Sequence, residues 1–362
     1  MSTFDKTDIA IFDLDGTLVD TDAANSAMPE VSAFGMDVNG VFPDYDGAIE
    51  SSEGLHNRAM SERAYSNREA RIRLTPKCNY RCFFCHEEGG CNAPAAEWES
   101  LRRLLHDLWR QGRKEITFTG GEPLLNKPVL IKALEEIASW DEQPEVTLIT
   151  NAALLDKPVI ESLEKCRSAK VHVSIHDPRT REYHLVTGQE TRTAMELESV
   201  LRRVSSGGVR LKLNAVLTEN YVSDGEALPE MLEYARKTGA KAVKFVELLE
   251  TKDAGKWPLK KIDAAVMDRK LEESGFVFSR RTCRTTYWDA KDGLSVEVTR
   301  CACAVGCEHC DETRGDSFTG GTHYHPCFLD GKSIRMEGRK LEDVLAEGEK
   351  FLQEYISNRI AA

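Results

Sequence analysis

Three cysteines crowded into one short segment carry the most reactive chemistry in the sequence. Cys78, Cys82 and Cys85 have the spacing C-x3-C-x2-C. Thiolates at such short spacings bind iron–sulfur clusters. Three of them hold three irons of a [4Fe–4S] cluster and leave the fourth iron open to a small molecule, which indicates a reactive cluster and not a simple electron store. A zinc site fits less well, because zinc usually takes four nitrogen or sulfur ligands in paired spacings.

The composition is that of a globular protein that keeps its thiols reduced. The 362 residues are enough for two domains, or for one large domain with an extension, and 41% of them are hydrophobic. The net charge of −12 disfavours nucleic acid as a partner. The N-terminus lacks a signal-peptide pattern and no apolar run reaches membrane-spanning length, so we expect a cytoplasmic protein with no membrane partner. Eleven cysteines in a reducing compartment are more typical of metal ligands or free thiols than of disulfides.

Strand-like and helix-like segments alternate from residue 70 to about residue 250. We expect strands at 71–75, 115–119, 145–150, 170–175, 209–216 and 241–247, and helices at 97–110, 127–139, 157–166, 192–204 and 226–238. The alternation predicts βαβ units with a parallel sheet, and six such units predict a partial (β/α)6 barrel. The barrel would span residues 67–250, between an N-terminal segment at 1–66 and a C-terminal region at 251–362.

The motifs that carry chemistry fall where the predicted strands end. The cysteine segment follows the first strand, Gly120-Gly121-Glu122 follows the second and Thr150-Asn151 follows the third. Because the C-terminal ends of the strands form the catalytic face of such barrels, we expect these motifs to form one site.

The cysteine segment, together with Thr119-Gly120-Gly121-Glu122-Pro123, resembles the radical SAM superfamily. The resemblance implies that Cys78, Cys82 and Cys85 hold a cluster whose open iron binds S-adenosylmethionine (SAM). It also implies that an electron from a flavodoxin or ferredoxin cleaves SAM to a 5′-deoxyadenosyl radical, while the protein positions the cofactor. The cofactor contacts implied by the resemblance are Phe84 near the adenine, Gly120, Gly121 and Glu122 near the methionine amino group, Ser174 and Asn214 near its carboxylate and the ribose, and Thr150.

A second group of cysteines lies beyond the predicted barrel. Cys307, Cys310 and Cys327 have the spacing C-x2-C-x16-C, which suits a second cluster, or zinc if a neighbouring side chain is the fourth ligand. Three residues could be that fourth ligand: Cys301, Cys303 and His309. Over about residues 68–335 the chain is similar to the MoaA-like GTP 3′,8-cyclase family. That resemblance implies an auxiliary [4Fe–4S] cluster on these three cysteines, with a free iron that contacts the substrate.

The same resemblance bears on the substrate. It implies substrate contacts for four basic residues, which are Arg71, Lys212, Lys244 and Arg314. Other basic positions of the family are changed. The stretch Asp311-Glu312-Thr313-Arg314 begins with acidic residues, and Asn126 occupies a position where the family has a basic residue. A triphosphate needs several Arg or Lys donors. We therefore expect a nucleoside or a monophosphate that is cyclised, rearranged or dehydrated, and not GTP.

Two other functions compete with this one. The first is a radical SAM enzyme that modifies peptides and carries a cluster in its C-terminal extension. The second arises from the run IFDLDGTLV at 11–19, which resembles motif I of haloacid-dehalogenase-like phosphatases, with Asp13 as nucleophile and Asp15 as acid–base. Only about 55 residues separate this motif from the first barrel strand, too few for that fold, so we expect a vestigial appendage.

Overall fold

The structure, a computed structural model, describes residues 69–85, 94–248, 258–282, 284–300, 315–327 and 332–360. Several predictions fall on residues outside these ranges: the phosphatase-like motif with Asp13 and Asp15, the cysteines Cys301, Cys303, Cys307 and Cys310, and also His309 and Arg314.

The predicted alternation of strands and helices is confirmed through residue 247. The six strands are β1 Ala70–Arg73, β2 Glu115–Thr119, β3 Glu145–Thr150, β4 Ala169–Ser174, β5 Arg210–Leu217 and β6 Ala242–Glu247. The helices between them are α1 Trp98–Arg110, α2 Lys127–Ala138, α3 Lys157–Glu164, α4 Thr180–Thr187, α5 Ala194–Ser206, α6 Asn220–Ser223 and α7 Ala227–Thr238, with a 3-10 helix at Pro123–Asn126. The short helices α4 and α6 were not predicted.

Further elements follow the sixth strand. They are α8 Ala264–Glu273, β7 Val277–Arg281, β8 Thr285–Asp289, β9 Ser295–Thr299, β10 Asp316–Thr319, β11 His323–His325, β12 Ile334–Arg335 and α9 Leu341–Ile360. No helix within the described ranges is both long enough and apolar enough to cross a membrane.

All these strands belong to one sheet, in the order β12-β11-β10-β1-β2-β3-β4-β5-β6-β9-β8-β7. The strands β1 to β6 are parallel, which confirms the partial radical SAM-type barrel. Two later strands extend the parallel region, because β9 pairs with β6 and β10 pairs with β1. The sequence pattern did not reveal this extension. The reason is that the chain reaches β9 through α8 and then the antiparallel strands β7 and β8, and not through a helix alone.

The two faces of the parallel region differ in chemistry. One face is apolar and buried under the helices, with members such as Ile72, Phe118, Leu148, Val171 and Phe245. The opposite face is polar on each parallel strand, since side chains alternate along a strand. Its polar members on the first three strands are Arg71 and Arg73 on β1, Glu115, Thr117 and Thr119 on β2, and Glu145 and Thr147 on β3. Those on the next three are Lys170, His172 and Ser174 on β4, Arg210, Lys212 and Asn214 on β5, and Lys244 on β6. The later strands add Ser295, Glu297 and Thr299 on β9, and Ser317 and Thr319 on β10.

The polar face is partly accessible on two of its strands. Along β1 and β4, apolar residues are buried while the polar residues between them are only half-buried. Parallel sheets usually have both faces covered and apolar. A parallel sheet with one polar, half-accessible face therefore marks a surface suited to a polar ligand.

A buried ion pair joins the segment before β2 to the later strand β10. Arg113 precedes β2, Asp316 begins β10, and Arg113 NH1 lies 2.7 Å from Asp316 Oδ2 with both side chains fully buried. The hydroxyl of Tyr324 on β11 donates to Asp316 Oδ1 at 3.0 Å. The pair thus ties the added strands β10 and β11 to the β1–β2 region.

The substitution Asp316→Asn tests whether this ion pair stabilises the fold. It removes the carboxylate charge that faces the buried guanidinium of Arg113, so we expect the free energy of unfolding to fall by about 3–5 kcal/mol. Urea denaturation of the protein measures the change. The control is Asp292→Asn, which breaks the exposed ion pair of Asp292 with Arg236 and should leave the stability close to that of the unaltered protein. Equal stability of the two variants would contradict the structural role of the buried pair.

Candidate functional site

The cysteine segment forms a loop directly after β1, as predicted. Cys78 and Cys85 are exposed, Cys82 is half-buried, and none of the three forms a disulfide. The backbone N–H of Cys85 donates to the carbonyl of Cys82 at 3.0 Å, which closes a turn between them. Burial, together with the neighbouring thiols Cys85 and Cys78, raises the pKa of Cys82 to about 12. The three sulfurs therefore lie close enough to influence one another.

The donor set suits an iron–sulfur cluster. Three thiols on one loop, none of them in a disulfide, match three irons of a [4Fe–4S] cluster. The thiols must lose their protons to bind metal, so the raised pKa of Cys82 means that binding releases a proton. Within the described ranges, no three Cys, His, Asp or Glu side chains already surround one point as metal ligands would.

Two glycines bring the end of β2 against this loop. The backbone N–H of Gly121 donates to the carbonyl of Thr75 at 2.8 Å, and that of Glu122 donates to the carbonyl of Lys77 at 2.7 Å. A Cβ on Gly121 would lie 2.3 Å from the Lys77 carbonyl oxygen. Gly120 has a φ of +143°, and a Cβ there would lie 2.5 Å from the Thr75 oxygen. Only glycine permits this approach, so both residues hold the loop itself, whatever else they contact.

Glu122 joins the ends of β2 and β3. Its side chain is 1% exposed. Oε1 accepts from the backbone N–H of Leu124 at 3.0 Å and from the Thr150 hydroxyl at 2.7 Å, and Oε2 accepts from the backbone N–H of Asn151 at 2.8 Å. Burial raises the pKa of this carboxyl, although the three donors oppose the shift. A carboxylate has about four acceptor positions, so Oε2 keeps capacity for one further donor.

Asn151 reaches from the end of β3 to the cysteine loop. Its Nδ2 donates to Asn79 Oδ1 at 2.8 Å and lies 4.0 Å from the sulfur of Cys78. Its Oδ1 accepts from the backbone N–H of Ala153 at 3.0 Å. The sequence pattern placed the motif Thr150-Asn151 at the end of the third predicted strand, but it assigned a cofactor contact to Thr150 alone.

Helix α4 supports the other side of the loop. Its carbonyl groups at Val186 and Thr187 accept from the backbone N–H groups of Phe83 and Arg81, at 3.2 and 2.9 Å. The hydroxyls of Tyr80 and Tyr183 lie 3.0 Å apart in the interior. The sequence pattern did not predict α4, because a helix of only eight residues is too short to show a clear periodicity.

Phe84 lies where the loop meets β4 and β5. Its ring centroid is 4.8 Å from that of His176, in an edge-to-face arrangement. His176 Nδ1 accepts from the backbone N–H of Val216 at 3.3 Å, so the ring proton is assigned to Nε2. Burial lowers the pKa of His176 to about 4, which keeps the ring neutral at pH 7.

The structure brings the predicted contacts Ser174, Asn214 and Lys244 into one row across β4, β5 and β6. Ser174 is the register partner of Asn214, and Asn214 is the partner of Lys244. Burial lowers the pKa of Lys244 to about 8, and the positive charge of Lys212 adds to the shift. The Oδ1 of Asn214 is buried without a hydrogen-bond partner.

The other two predicted substrate residues within the described ranges are already in ion pairs. Lys212 Nζ lies 2.5 Å from Glu297 Oε1, and Arg71 NH1 lies 3.2 Å from Glu69 Oε1. His172 faces Lys212 across the strands, and its Nε2 is buried with no partner. Burial and the nearby lysines lower its pKa well below the usual value.

Cys327 is the one predicted ligand of the second group within the described ranges. It is half-buried and follows β11, which runs antiparallel to β10, with His325 opposite Ser317. The chain therefore leaves β11 towards the edge where the parallel strands begin. Cys327 and the Cys78 loop lie at opposite edges of the sheet.

Comparisons with known proteins agree with this geometry. The family model of the radical SAM superfamily matches residues 72–243. A probable GTP 3′,8-cyclase of Methanosarcina acetivorans is 30% identical over 272 residues, covering 72% of this chain and 77% of that protein. A probable GTP 3′,8-cyclase of Archaeoglobus fulgidus is 28% identical over 286 residues, covering 76% and 90%.

A solved structure shares the fold. Streptococcus suis SuiB bound to S-adenosylmethionine superposes with a TM-score of 0.61 at 15% sequence identity, covering 84% of this chain and 72% of that one. The motifs, the sheet and these relatives lead to one conclusion. The chain belongs to the radical SAM superfamily and is an enzyme of the radical SAM type.

Proposed function

We propose that Cys78, Cys82 and Cys85 hold the [4Fe–4S] cluster. We also propose that SAM binds over the C-terminal ends of the parallel strands β1 to β5. When bound, this pair of cofactors supplies the radical that removes hydrogen from the substrate. The observation that carries the proposal is the anchoring of the cysteine loop. Backbone hydrogen bonds from Gly121 and Glu122 hold the loop on one side, and the end of α4 holds it on the other.

The chain's own residues would position SAM. Phe84 presents an aromatic surface for the adenine beside the neutral ring of His176. The open acceptor position on Glu122 Oε2 suits the methionine ammonium, as the Gly-Gly-Glu motif predicts. Ser174 and Asn214 lie side by side on β4 and β5, where a carboxylate or ribose needs polar partners. Thr150 acts here through its hydrogen bond to Glu122.

We propose a substrate of low charge on the polar face. Among its cations, Lys212 and Arg71 are paired with Glu297 and Glu69. Lys170 and Arg210 are both paired with Glu145. Lys244 differs, because none of the described carboxylates lies within ion-pair distance of its Nζ.

A single lysine such as Lys244, with no carboxylate partner among the described residues, suits one compact anionic group. A triphosphate needs several donors. The relatives are named as GTP cyclases. The charges of this polar face point instead to a nucleoside or a nucleoside monophosphate, which would be cyclised, rearranged or dehydrated. We propose that Lys244, with Arg71, Lys212 and Arg314, binds it.

The second cluster would be held by Cys307, Cys310 and Cys327, at the opposite edge of the sheet from Cys78. Cys327 is the only one of these whose position is described, and it lies at that edge. A substrate on the polar face would then lie between the two clusters. A flavodoxin or ferredoxin would supply the electron, in the cytoplasm.

A peptide substrate is the second candidate. A structure of Streptococcus suis SuiB bound to precursor peptide SuiA has a TM-score of 0.60 to this chain, at 14% identity. The binding measurements below separate the candidates, because a peptide enzyme should show no affinity for nucleoside monophosphates.

The cysteine substitutions Cys78→Ala, Cys82→Ala and Cys85→Ala test the first cluster. Each removes one of three iron ligands, so we expect reductive SAM cleavage by anaerobically reconstituted protein to fall to background. Chromatographic detection of 5′-deoxyadenosine measures it. The matched control is Cys166→Ala, since Cys166 is buried and its sulfur contacts only backbone carbonyls. Full SAM cleavage by any of the three loop variants would refute the cluster assignment.

The substitution Gly121→Ala tests the anchoring of the loop. The added Cβ would press against the Lys77 carbonyl, so the loop must move. We expect a chelator to remove cluster iron about tenfold faster, which corresponds to a barrier lowered by about 1.4 kcal/mol. Gly225→Ala is the control, because its Cβ would meet no atom within 4 Å. Unchanged iron release from Gly121→Ala would show that the anchoring does not matter.

Lys244 predicts a specific pH dependence of substrate binding. With a pKa of about 8, the side chain is cationic below pH 8 and neutral above it. A phosphate monoester is already a dianion above pH 7, so its affinity should decline as the pH rises from 7 to 9. Calorimetric titration with a panel of nucleoside 5′-monophosphates measures this.

Two variants check the source of the decline. Lys244→Met should lose about 1.5–3 kcal/mol of binding, the value of a charged hydrogen bond, at pH 7. Lys244→Arg stays charged and should abolish the decline between pH 7 and 9. Nucleotide binding that is independent of pH in the unaltered protein would argue against Lys244 as the anion contact.

A further inference from the structure

We propose that Asn151 is a positioning residue that sets the reduction potential of the cluster at the Cys78 loop, through an N–H···S hydrogen bond to the Cys78 sulfur. The inference rests on the proposed cluster on Cys78, Cys82 and Cys85. It adds, to the residues proposed above to contact SAM and substrate, one that would act through a ligand sulfur.

Two donors from different elements converge on that sulfur. The backbone N–H of Tyr80, on the loop itself, lies 3.4 Å from Cys78 Sγ. The side-chain amide of Asn151, on β3, lies 4.0 Å from the same atom. Hydrogen bonds to ligand sulfurs stabilise the more negative, reduced cluster and so raise its potential.

The orientation of the Asn151 amide is determined by its partners. Oδ1 accepts from the backbone N–H of Ala153, which can only donate. The NH2 group must therefore be the end that faces Asn79 Oδ1 and the sulfur. The amide thus presents a donor, and not an acceptor, to the thiolate.

The backbone around Asn151 is held in a strained form. Ala152 has a φ of +61° and is the only non-glycine residue with positive φ within the described ranges. It is held there because its N–H donates to the Thr150 hydroxyl at 3.0 Å. On the other side, the N–H of Asn151 donates to Glu122 Oε2. Strained conformations persist where the surroundings over-determine them, and they cluster at functional sites.

This arrangement explains a function of buried Glu122 that does not depend on SAM. The carboxylate holds the backbone of Asn151 and the hydroxyl of Thr150, which in turn holds Ala152. The side chain of Asn151 is therefore fixed relative to the loop before any cofactor binds. A rigid donor is what tunes a potential reproducibly, since a mobile one would be replaced by water.

The test compares the variant Asn151→Asp with the unaltered full-length protein. Aspartate keeps the acceptor for Ala153 but replaces the donor with a negative charge near the sulfur. Anaerobic redox titration of reconstituted protein, followed by electron paramagnetic resonance, gives the midpoint potential of the signal that changes on addition of SAM. We expect about a tenfold lower ratio of reduced to oxidised cluster at a fixed potential, which is about 59 mV for a one-electron couple.

Two further variants keep the test decisive. Asn151→Ser removes the long amide donor without adding charge and should shift the potential in the same direction by a smaller amount. It also serves as the measured variant if Asn151→Asp binds no cluster. Asn126→Ala is the matched control, because the Asn126 amide donates only to the carbonyls of Leu74 and Ala96. Its potential should equal that of the unaltered protein.

The outcomes separate this inference from the proposed function. If the unaltered protein gives no SAM-sensitive signal, the proposed cluster itself fails. If that signal is present and both Asn151 variants keep the unaltered midpoint potential, the cluster stands and the role of Asn151 is overturned. An equal shift in Asn126→Ala would also overturn it, because it would show a general effect of loop packing.

Discussion

The close approach of two backbones determines how the site is built. The end of β2 touches the loop after β1 at Gly120 and Gly121, at distances that exclude any Cβ. Two parallel neighbouring strands end at the same edge, but their following loops normally diverge. Here the glycines bring the loops together, and Glu122 continues the contact to β3. Three consecutive strand ends thereby become one rigid support for the cysteine loop.

The polar face of the sheet is the second constraint. Helices cover the other face and supply the hydrophobic stabilisation, so the polar side chains need not form a core. Most of their charges cancel in pairs, as Lys212 does with Glu297. Such pairs in a half-accessible space add little stability of their own. Their effect is to leave a polar surface with an excess of basic side chains, on which we propose that Lys244 contacts the anionic group of the substrate.

Much of this architecture follows from the sequence. The strand and helix periods of β1 to β6 predicted the barrel, and the spacing of Cys78, Cys82 and Cys85 together with Gly120 and Gly121 predicted which strand ends carry the chemistry. These features are local, since a strand period or a ligand spacing is complete within a few residues.

What the sequence did not reveal depends on contacts between distant segments. The support from α4 and the pairing of β10 with β1 join residues that are far apart in the chain. The sequence placed Asn151 at the right strand end but could not assign it a role for the same reason: an asparagine after a strand is ordinary in a turn, and only its distance to Cys78 distinguishes it. Ala152 shows the limit most clearly, because glycine is the residue expected at a positive φ.

The height of the polar face limits what the enzyme can hold. Strands of five or six residues span about 17–20 Å, with the Cys78 loop at one edge and Cys327 at the other. Lys244 is the third of six residues in β6, near the middle of that height. An anionic group bound there leaves about half of the height, roughly 10 Å, between it and the cysteine loop. A substrate with one charged end and a reactive carbon a few bonds away fits that interval, and a substrate with a long charged tail would have to extend towards the Cys327 edge, past Glu297.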